Sequence, residues 1–141
     1  MLRLLGPGSS IDGRNAAGES ALHVAAAEGR ADLVKILLNK GANIHARSRG
    51  VNQTALHSAA SNGHLEVINL LLDRGASIDA TTYTMWTALH QAAREGHSEA
   101  MKVLLDRGAT IDATTYTMWT ALHQAAMKGH GEAVEIGRAH V

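Results

Sequence analysis

Short apolar stripes alternate with polar breaks along the chain. The first stripe holds Leu22, Ala25 and Ala26 at helical i, i+3, i+4 spacing, and a second stripe follows Gly29. The second stripe consists of Leu33, Val34, Leu37 and Leu38. The pattern predicts two helices of about nine or ten residues, with Ser20 as the first N-cap and a glycine after each helix. Helices below ~12–15 residues are unstable alone in water, so their stability must come from packing on neighbours.

This pair of stripes recurs along the chain. The peptide Thr87–Ala93 is identical to Thr120–Ala126, while Thr54–Ala60 and Ser20–Ala26 differ from it at one and two positions. The histidine of each peptide follows the previous one by 33 or 34 residues. A fixed period of this length predicts a stacked repeat array. Two of the repeats are near copies: residues 79–93 are identical to residues 112–126.

The repeated peptide resembles the signature of the ankyrin repeat family. It reads Thr-Ala-Leu-His where the family usually has Thr-Pro-Leu-His. Further landmarks recur in phase: Gly29, Gly63, Gly96 and Gly129; Gly41, Gly75 and Gly108, each followed by Ala; and Ile44, Ile78 and Ile111. The resemblance implies an all-α solenoid of stacked helix-turn-helix units with short β-hairpin loops. It divides the ankyrin repeat domain, residues 1–141, into a partial repeat (1–11), three repeats (about 12–44, 45–78 and 79–111) and a partial repeat (112–135).

Both ends depart from the repeat pattern. Residues 4–12 align with the end of the first repeat, so we expect Met1 to be a start assigned within a longer gene. Gly137 and Arg138 stand where the third repeat has Leu104 and Leu105, so we expect the last helix to break at Gly137 and the fourth repeat to fray. Residues 135–141 read EIGRAHV, which resembles a translated sequencing adapter, and we expect the natural gene to continue differently.

Composition narrows the classes of function. The chain has no Cys, which excludes disulfides and thiolate zinc sites and favours a cytoplasmic or other reducing intracellular compartment. The formal net charge is zero and no segment collects Lys and Arg, so we expect no nucleic-acid partner. No run approaches the ~18 apolar residues of a membrane-spanning helix, so we expect no membrane insertion by this segment.

Nine histidines raise the question of a metal site. Equivalent histidines in neighbouring repeats stand one helix spacing apart, ~8–10 Å, which is too far to share one zinc ion. His64, His97 and His130 each begin an H-x-E peptide, but the deaminase motif that shares this spelling also needs cysteines. The glycine-rich peptide Gly6–Ser10 lacks the ending of a phosphate-binding loop. We therefore expect no metal, no cofactor, no small-molecule substrate and no enzymatic activity.

The aromatic residues are few and concentrated. The chain has two Tyr, two Trp and no Phe, and all four rings lie just before the third and fourth Thr-Ala-Leu-His peptides. In the ankyrin family this loop projects as a finger that lines a partner-binding groove together with the first helix. We therefore predict nine partner-binding residues: seven at positions that contact partners in the family, and two methionines that add adaptable apolar surface between the rings. They are Tyr83, Met85, Trp86, Arg94, Tyr116, Met118, Trp119, Met127 and Lys128.

Two features of these loops leave questions open. Met85 and Met118 replace a turn glycine that stands at Gly18 in the first repeat, so we expect these two fingers to bend differently. Trp86 and Trp119 occupy the position before the N-cap, but the residue at N4 is Gln in both repeats, so a hydrophobic staple lacks its apolar partner. Each indole could pack on the adjoining finger or present a surface to a partner.

These observations favour a protein-protein interaction module, a scaffold or adaptor that binds a partner protein through its concave surface. The alternative is a regulatory or targeting array within a larger multidomain enzyme, channel or signalling protein. Both interpretations assign the same physical roles to the residues discussed above.

Overall fold

The structure, a computed structural model, describes residues 10–140. Within these residues the chain forms eight α-helices arranged as four helix-turn-helix repeats. The first helices of the repeats are α1 (Ala21–Ala27), α3 (Ala55–Ser61), α5 (Ala88–Arg94) and α7 (Ala121–Met127). The second helices are α2 (Ala31–Asn39), α4 (Leu65–Asp73), α6 (Ser98–Asp106) and α8 (Gly131–Arg138). The partial repeat predicted over 1–11 and the peptide Gly6–Ser10 lie almost wholly outside the described residues.

The first helix of each repeat is shorter than the sequence pattern predicts. It has seven residues in all four repeats, whereas α2, α4 and α6 have nine. The predicted length of nine or ten residues was wrong for the first helices, because the residue before the glycine, such as Glu28, is a C-cap and the helix ends before it. The connecting loops reverse the chain as expected but contain almost no regular strand. Among the described residues, the one isolated β-bridge joins Arg14 and Ser20.

A reciprocal cap starts each first helix. The Ser20 hydroxyl accepts a hydrogen bond from the backbone N–H of His23, and the Nδ1 atom of His23 accepts one from the backbone N–H of Ser20 at 3.2 Å. Thr54, Thr87 and Thr120 make the same two bonds with the following histidines. The arrangement satisfies two amide groups that a helix start leaves free, and a histidine here replaces the usual Glu or Gln.

Glycines close these helices for two reasons. Gly29 has a φ of +73°, which a glycine adopts without a steric penalty. A Cβ atom at this position would lie 2.6 Å from Nδ1 of His64, the residue before α4. The imidazole of His64 in turn donates from Nε2 to the Ala27 carbonyl across the repeat boundary at 2.9 Å, so the close approach serves a structural hydrogen bond.

The core runs between two rows of helices. Successive first helices pack on each other through alanines, of which Ala25, Ala59, Ala92 and Ala125 are all fully buried. The second helices contribute the larger side chains, including Leu37, Leu71 and Leu104. The alanines of the first helices let the repeats approach closely, and leucines from both rows fill the core of the described residues without a buried aromatic ring from Tyr or Trp. None of the helices among residues 10–140 is long and apolar enough to span a membrane.

The fourth repeat differs from the others on its outer side. Leu122 is half-buried and Ala126 is exposed, whereas the equivalent Leu89 and Ala93 are buried. The expected break at Gly137 is wrong, because α8 continues through it to Arg138. The Gly137 backbone lies so close to Leu122 that a Cβ atom at this position would overlap the leucine side chain. A glycine therefore lets α8 pack directly on α7.

Candidate partner-binding surface

Each loop before a first helix forms a compact finger held by one polar residue at its base. In the third repeat, the Oγ1 atom of the buried Thr82 accepts hydrogen bonds from the backbone N–H groups of Thr84 and Trp86 at 3.3 and 3.2 Å. The Thr82 N–H donates to the Trp86 carbonyl at 2.9 Å, which closes the loop. Thr115 holds the fourth finger in the same way through Trp119. The sequence pattern did not predict the role of these threonines, although hydroxyl-bearing residues are typical of turns.

The methionines at the finger tips adopt the conformation of the glycine they replace. Met85 and Met118 have φ values of +67° and +64°, close to the +79° of Gly18 and the +68° of Asn52 in the first and second fingers. The expectation that these fingers bend differently is therefore wrong. The left-handed conformation costs a side-chain-bearing residue roughly 1–2 kcal/mol, so the hydrogen bonds of the finger base must hold it.

Neighbouring fingers are joined in a fixed register. The backbone N–H of Tyr83 donates to the Val51 carbonyl at 3.2 Å, and that of Tyr116 donates to the Thr84 carbonyl at 3.1 Å. At the base of each finger, a histidine of the preceding repeat contacts a tryptophan carbonyl. Nε2 of His57 lies 2.9 Å from the Trp86 carbonyl, and Nε2 of His90 lies 3.2 Å from the Trp119 carbonyl. The third and fourth fingers are thus anchored to the preceding repeat at both tip and base.

The tautomer of these histidines follows from their partners. Nδ1 of His57 accepts from the Thr54 backbone N–H, so the ring proton resides on Nε2 and is donated to the Trp86 carbonyl. Burial lowers the pKa of His57 to about 4, against the opposing effect of the hydrogen bond to that carbonyl. Burial also lowers the pKa of His23 and His90. These imidazoles are neutral structural groups whose nitrogens are already engaged.

The two indoles pack on the first helix of their own repeat. The Trp86 ring centroid lies 5.8 Å from that of His90 with an interplanar angle of 54°, and the corresponding separation for Trp119 and His123 is 5.9 Å. The guanidinium carbon of Arg94 lies 5.7 Å from the centre of the Trp86 ring. Both indoles remain half-buried, so each combines a structural contact with an accessible edge.

The remaining predicted residues are exposed. Tyr83 and Tyr116 expose 62% and 71% of their surface, so their rings stand free of the core. Met85, Met118 and Met127 are also exposed. Arg94 ends α5, Met127 ends α7 and Lys128 is the C-cap of α7. The nine residues therefore lie on finger tips and on the C-terminal ends of two first helices. Among them, Arg94 contacts the Trp86 ring.

The other motifs examined in the sequence have structural partners. His97 and His130 lie within hydrogen-bond distance of the Ser61 and Arg94 carbonyls, as His64 does of Ala27, so all three H-x-E histidines bridge adjacent repeats. Within residues 10–140, no group of three or more His, Cys, Asp or Glu side chains is placed to hold a metal ion.

Comparison with known proteins agrees with this architecture. The family model described as ankyrin repeats in three copies matches residues 1–82 and 81–136. A search of curated proteins finds no match. Ankyrin repeats are generally protein-protein interaction modules and are typically not enzymes. The repeat period, the capped helix pairs and the match across nearly the whole sequence show that this chain belongs to the ankyrin repeat family.

Proposed function

We propose that the chain binds another protein through the exposed side of its third and fourth fingers and the adjoining helix ends, which we term the finger surface. It comprises Tyr83, Met85, Trp86, Arg94, Tyr116, Met118, Trp119, Met127 and Lys128. The observation that carries the proposal is the placement of the rings: the two Tyr and two Trp of the chain all lie on these two fingers, and both tyrosines are more than half exposed.

The fold does not require these side chains. The first finger has the same backbone turn with Ala16, Ala17 and Gly18 at the positions of Tyr83, Thr84 and Met85. Met85 and Met118 hold a conformation that glycine adopts at lower cost. Large apolar side chains that lower stability and stay in solvent are best explained by a role in recognition.

The chemistry of the surface suits protein recognition. Tyr and Trp bury a large area with few rotatable bonds and keep a polar group for hydrogen bonding, which makes them frequent binding hot spots. Met adds a flexible thioether that adapts to different partner shapes. Arg94 and Lys128 place positive charge at the helix ends beside the fingers, where it can select a partner's acidic side chains.

The test is affinity capture from a lysate with three forms of the chain. Tyr83→Ala combined with Tyr116→Ala removes exposed rings whose backbone hydrogen bonds remain possible, and Val51→Ala removes an exposed side chain from the neighbouring second finger as the matched control. We expect the same partner to be captured by the wild type and the control and lost from the double variant. All three forms should have the same melting temperature. Undiminished capture by the double variant would contradict the proposal.

A further inference from the structure

The third and fourth fingers carry the same side chains. Residues 79–93 and 112–126 are identical in sequence, and the structure gives them the same conformation. Met85 and Met118 differ in φ by 3°, and each indole lies at nearly the same distance from the histidine of its helix. A partner that reaches both fingers therefore meets the same side chains at two points.

The step between the two copies is fixed. The fingers are joined by the hydrogen bond from the Tyr116 N–H to the Thr84 carbonyl and by the bond from His90 to the Trp119 carbonyl. Helices packed through small residues lie ~8–10 Å apart, so the two aromatic rungs, Tyr83 with Trp86 and Tyr116 with Trp119, repeat at about that spacing. A ligand matches both rungs when its own side chains repeat with the same translation.

The β-strand, the polyproline II helix and the α-helix differ in whether their side chains repeat on one face at the spacing of the rungs. A β-strand advances ~10 Å in three residues, but its side chains alternate, so the third residue faces away from the surface. A polyproline II helix advances ~9.3 Å in three residues, which is one full turn, and returns the same face. An α-helix needs seven residues for ~10.5 Å. Polyproline II and the α-helix therefore both fit the spacing.

The polar groups of the fingers favour the polyproline II helix over the α-helix. The tip segments 81–86 and 114–119 contain Thr, Tyr, Met and Trp and no charged residue. The Tyr hydroxyls and the Trp indole N–H groups can donate hydrogen bonds to a ligand, whereas the hydroxyls of Thr82 and Thr84, and those of Thr115 and Thr117, already bond to each other. A polyproline II segment leaves all of its carbonyls free to accept these bonds, whereas an α-helix uses its carbonyls internally. Proline rings also pack on aromatic side chains in known recognition grooves.

We propose that the finger surface binds a proline-rich segment of its partner in the polyproline II conformation, with equivalent residues at every third position. This inference rests on the proposed function and specifies the kind of partner. Each turn of the segment lies against one aromatic rung. Since each rung carries a Tyr and a Trp, both rungs contribute to binding.

The intrinsic tryptophan fluorescence of the chain can report peptide binding. Its two Trp residues both lie on the finger surface, so a bound peptide without Trp or Tyr changes their fluorescence. The probe peptide repeats Leu-Pro-Pro over about six residues, which spans ~19 Å as polyproline II, so its two turns match the two rungs and neither half of it can match both. We expect a saturable change in emission. A peptide with one Gly inserted at its centre breaks the period and should bind at least about tenfold more weakly, because the two rungs no longer bind together.

Variants of the chain separate the contributions of the rungs. Tyr83→Ala and Tyr116→Ala should each weaken peptide binding, and Val51→Ala should leave it unchanged. Equal affinity for the regular and interrupted peptides, or no fluorescence change with the regular one, would overturn the inference. So would saturable binding of an α-helical peptide with Leu at every seventh position in place of the proline-rich one.

The two proposals fail in different ways. If the tyrosine double variant still loses its captured protein while the proline-rich peptide does not bind, the finger surface binds proteins but not this conformation. If the peptide does not bind and the tyrosine double variant still captures the same protein as the wild type, the proposed function fails as well.

Discussion

The guanidinium of Arg94 covers one side of the Trp86 indole, with 5.7 Å between its carbon and the ring centroid. Thr87 is the N-cap of α5, Trp86 immediately precedes it, and Arg94 is the last residue of the helix. The contact therefore joins the finger to the C-terminal end of the helix that follows it. In the fourth repeat the equivalent residue is Met127, so the arrangement in the third repeat is electrostatically distinct.

The first prediction concerns this contact. Arg94→Met copies the residue of the fourth repeat and removes the charge while keeping an apolar stem. We expect a loss of about 0.5–1 kcal/mol in the free energy of unfolding, because a cation–π contact at an exposed site has that strength. Urea denaturation of the wild type and the variant measures it. A loss of several kcal/mol would mean that Arg94 supports the core rather than the finger.

The second prediction concerns acid stability. Burial lowers the pKa of His57 to about 4 from an ordinary value of 6.5. Since the folded pKa lies below the unfolded one, the stability contributed by the neutral ring is complete above pH 6.5 and is lost as the pH falls from 6.5 through 4. The gap corresponds to on the order of 3 kcal/mol.

Replacement of His57 isolates this effect. His57→Gln keeps a donor for the Trp86 carbonyl but cannot titrate. Between pH 7 and 4.5, its unfolding free energy should change less than that of the wild type, and the exposed His45→Gln serves as the control. Equal pH dependence of the wild type and His57→Gln would refute the role assigned to His57.

The third prediction compares two glycines in the same conformation. Gly96 and Gly129 have φ values of +75° and +76°, but a Cβ atom at Gly96 would lie 2.7 Å from Nδ1 of His130, whereas Gly129 has open space. Both Ala variants carry the conformational cost of roughly 1–2 kcal/mol. Gly96→Ala should lose at least about 1 kcal/mol more, because His130 must move from the Arg94 carbonyl. Equal losses in thermal or urea unfolding would show that the inter-repeat hydrogen bond contributes nothing.

The fourth prediction addresses the methionines at the tips. Met85→Gly and Met118→Gly relieve the left-handed strain and should raise the stability of the chain by up to about 1 kcal/mol, since the gain is partly offset by glycine's greater unfolded-state entropy. The same variants should weaken partner binding. A gain in stability with unchanged affinity would show that the thioethers play no part in recognition.

The sequence predicts the features of the fold that depend on local periodicity. The caps at Ser20 and its equivalents, the positive φ at Gly29 and the two rows of buried helices all follow from spacing and residue type. Faster amide exchange in α7 than in α3 stays a prediction, supported by the exposure of Ala126. The assignment of the nine surface residues to partner binding also stays a prediction.

The conformation of the fingers could not be predicted, because it depends on contacts rather than on intrinsic preference. Met85 is strained when considered alone, but the Thr82 hydroxyl and the bond from Tyr116 to the adjacent Thr84 carbonyl fix the turn around it. For the indole, the staple rule considers N4, whereas Trp86 reaches His90 at N3 and Arg94 one turn further on. Similarly, Gly137 suggests a broken helix until the packing of α8 on Leu122 is seen.

The most direct test of the finger surface is the footprint of a bound partner, measured by amide hydrogen exchange of the chain with and without the captured protein. We predict slower exchange on binding at the finger tips, residues 81–86 and 114–119. Exchange in α2 and α4, which belong to the row of second helices, should not change. Protection confined to α2 and α4, with the finger tips unaffected, would contradict the account.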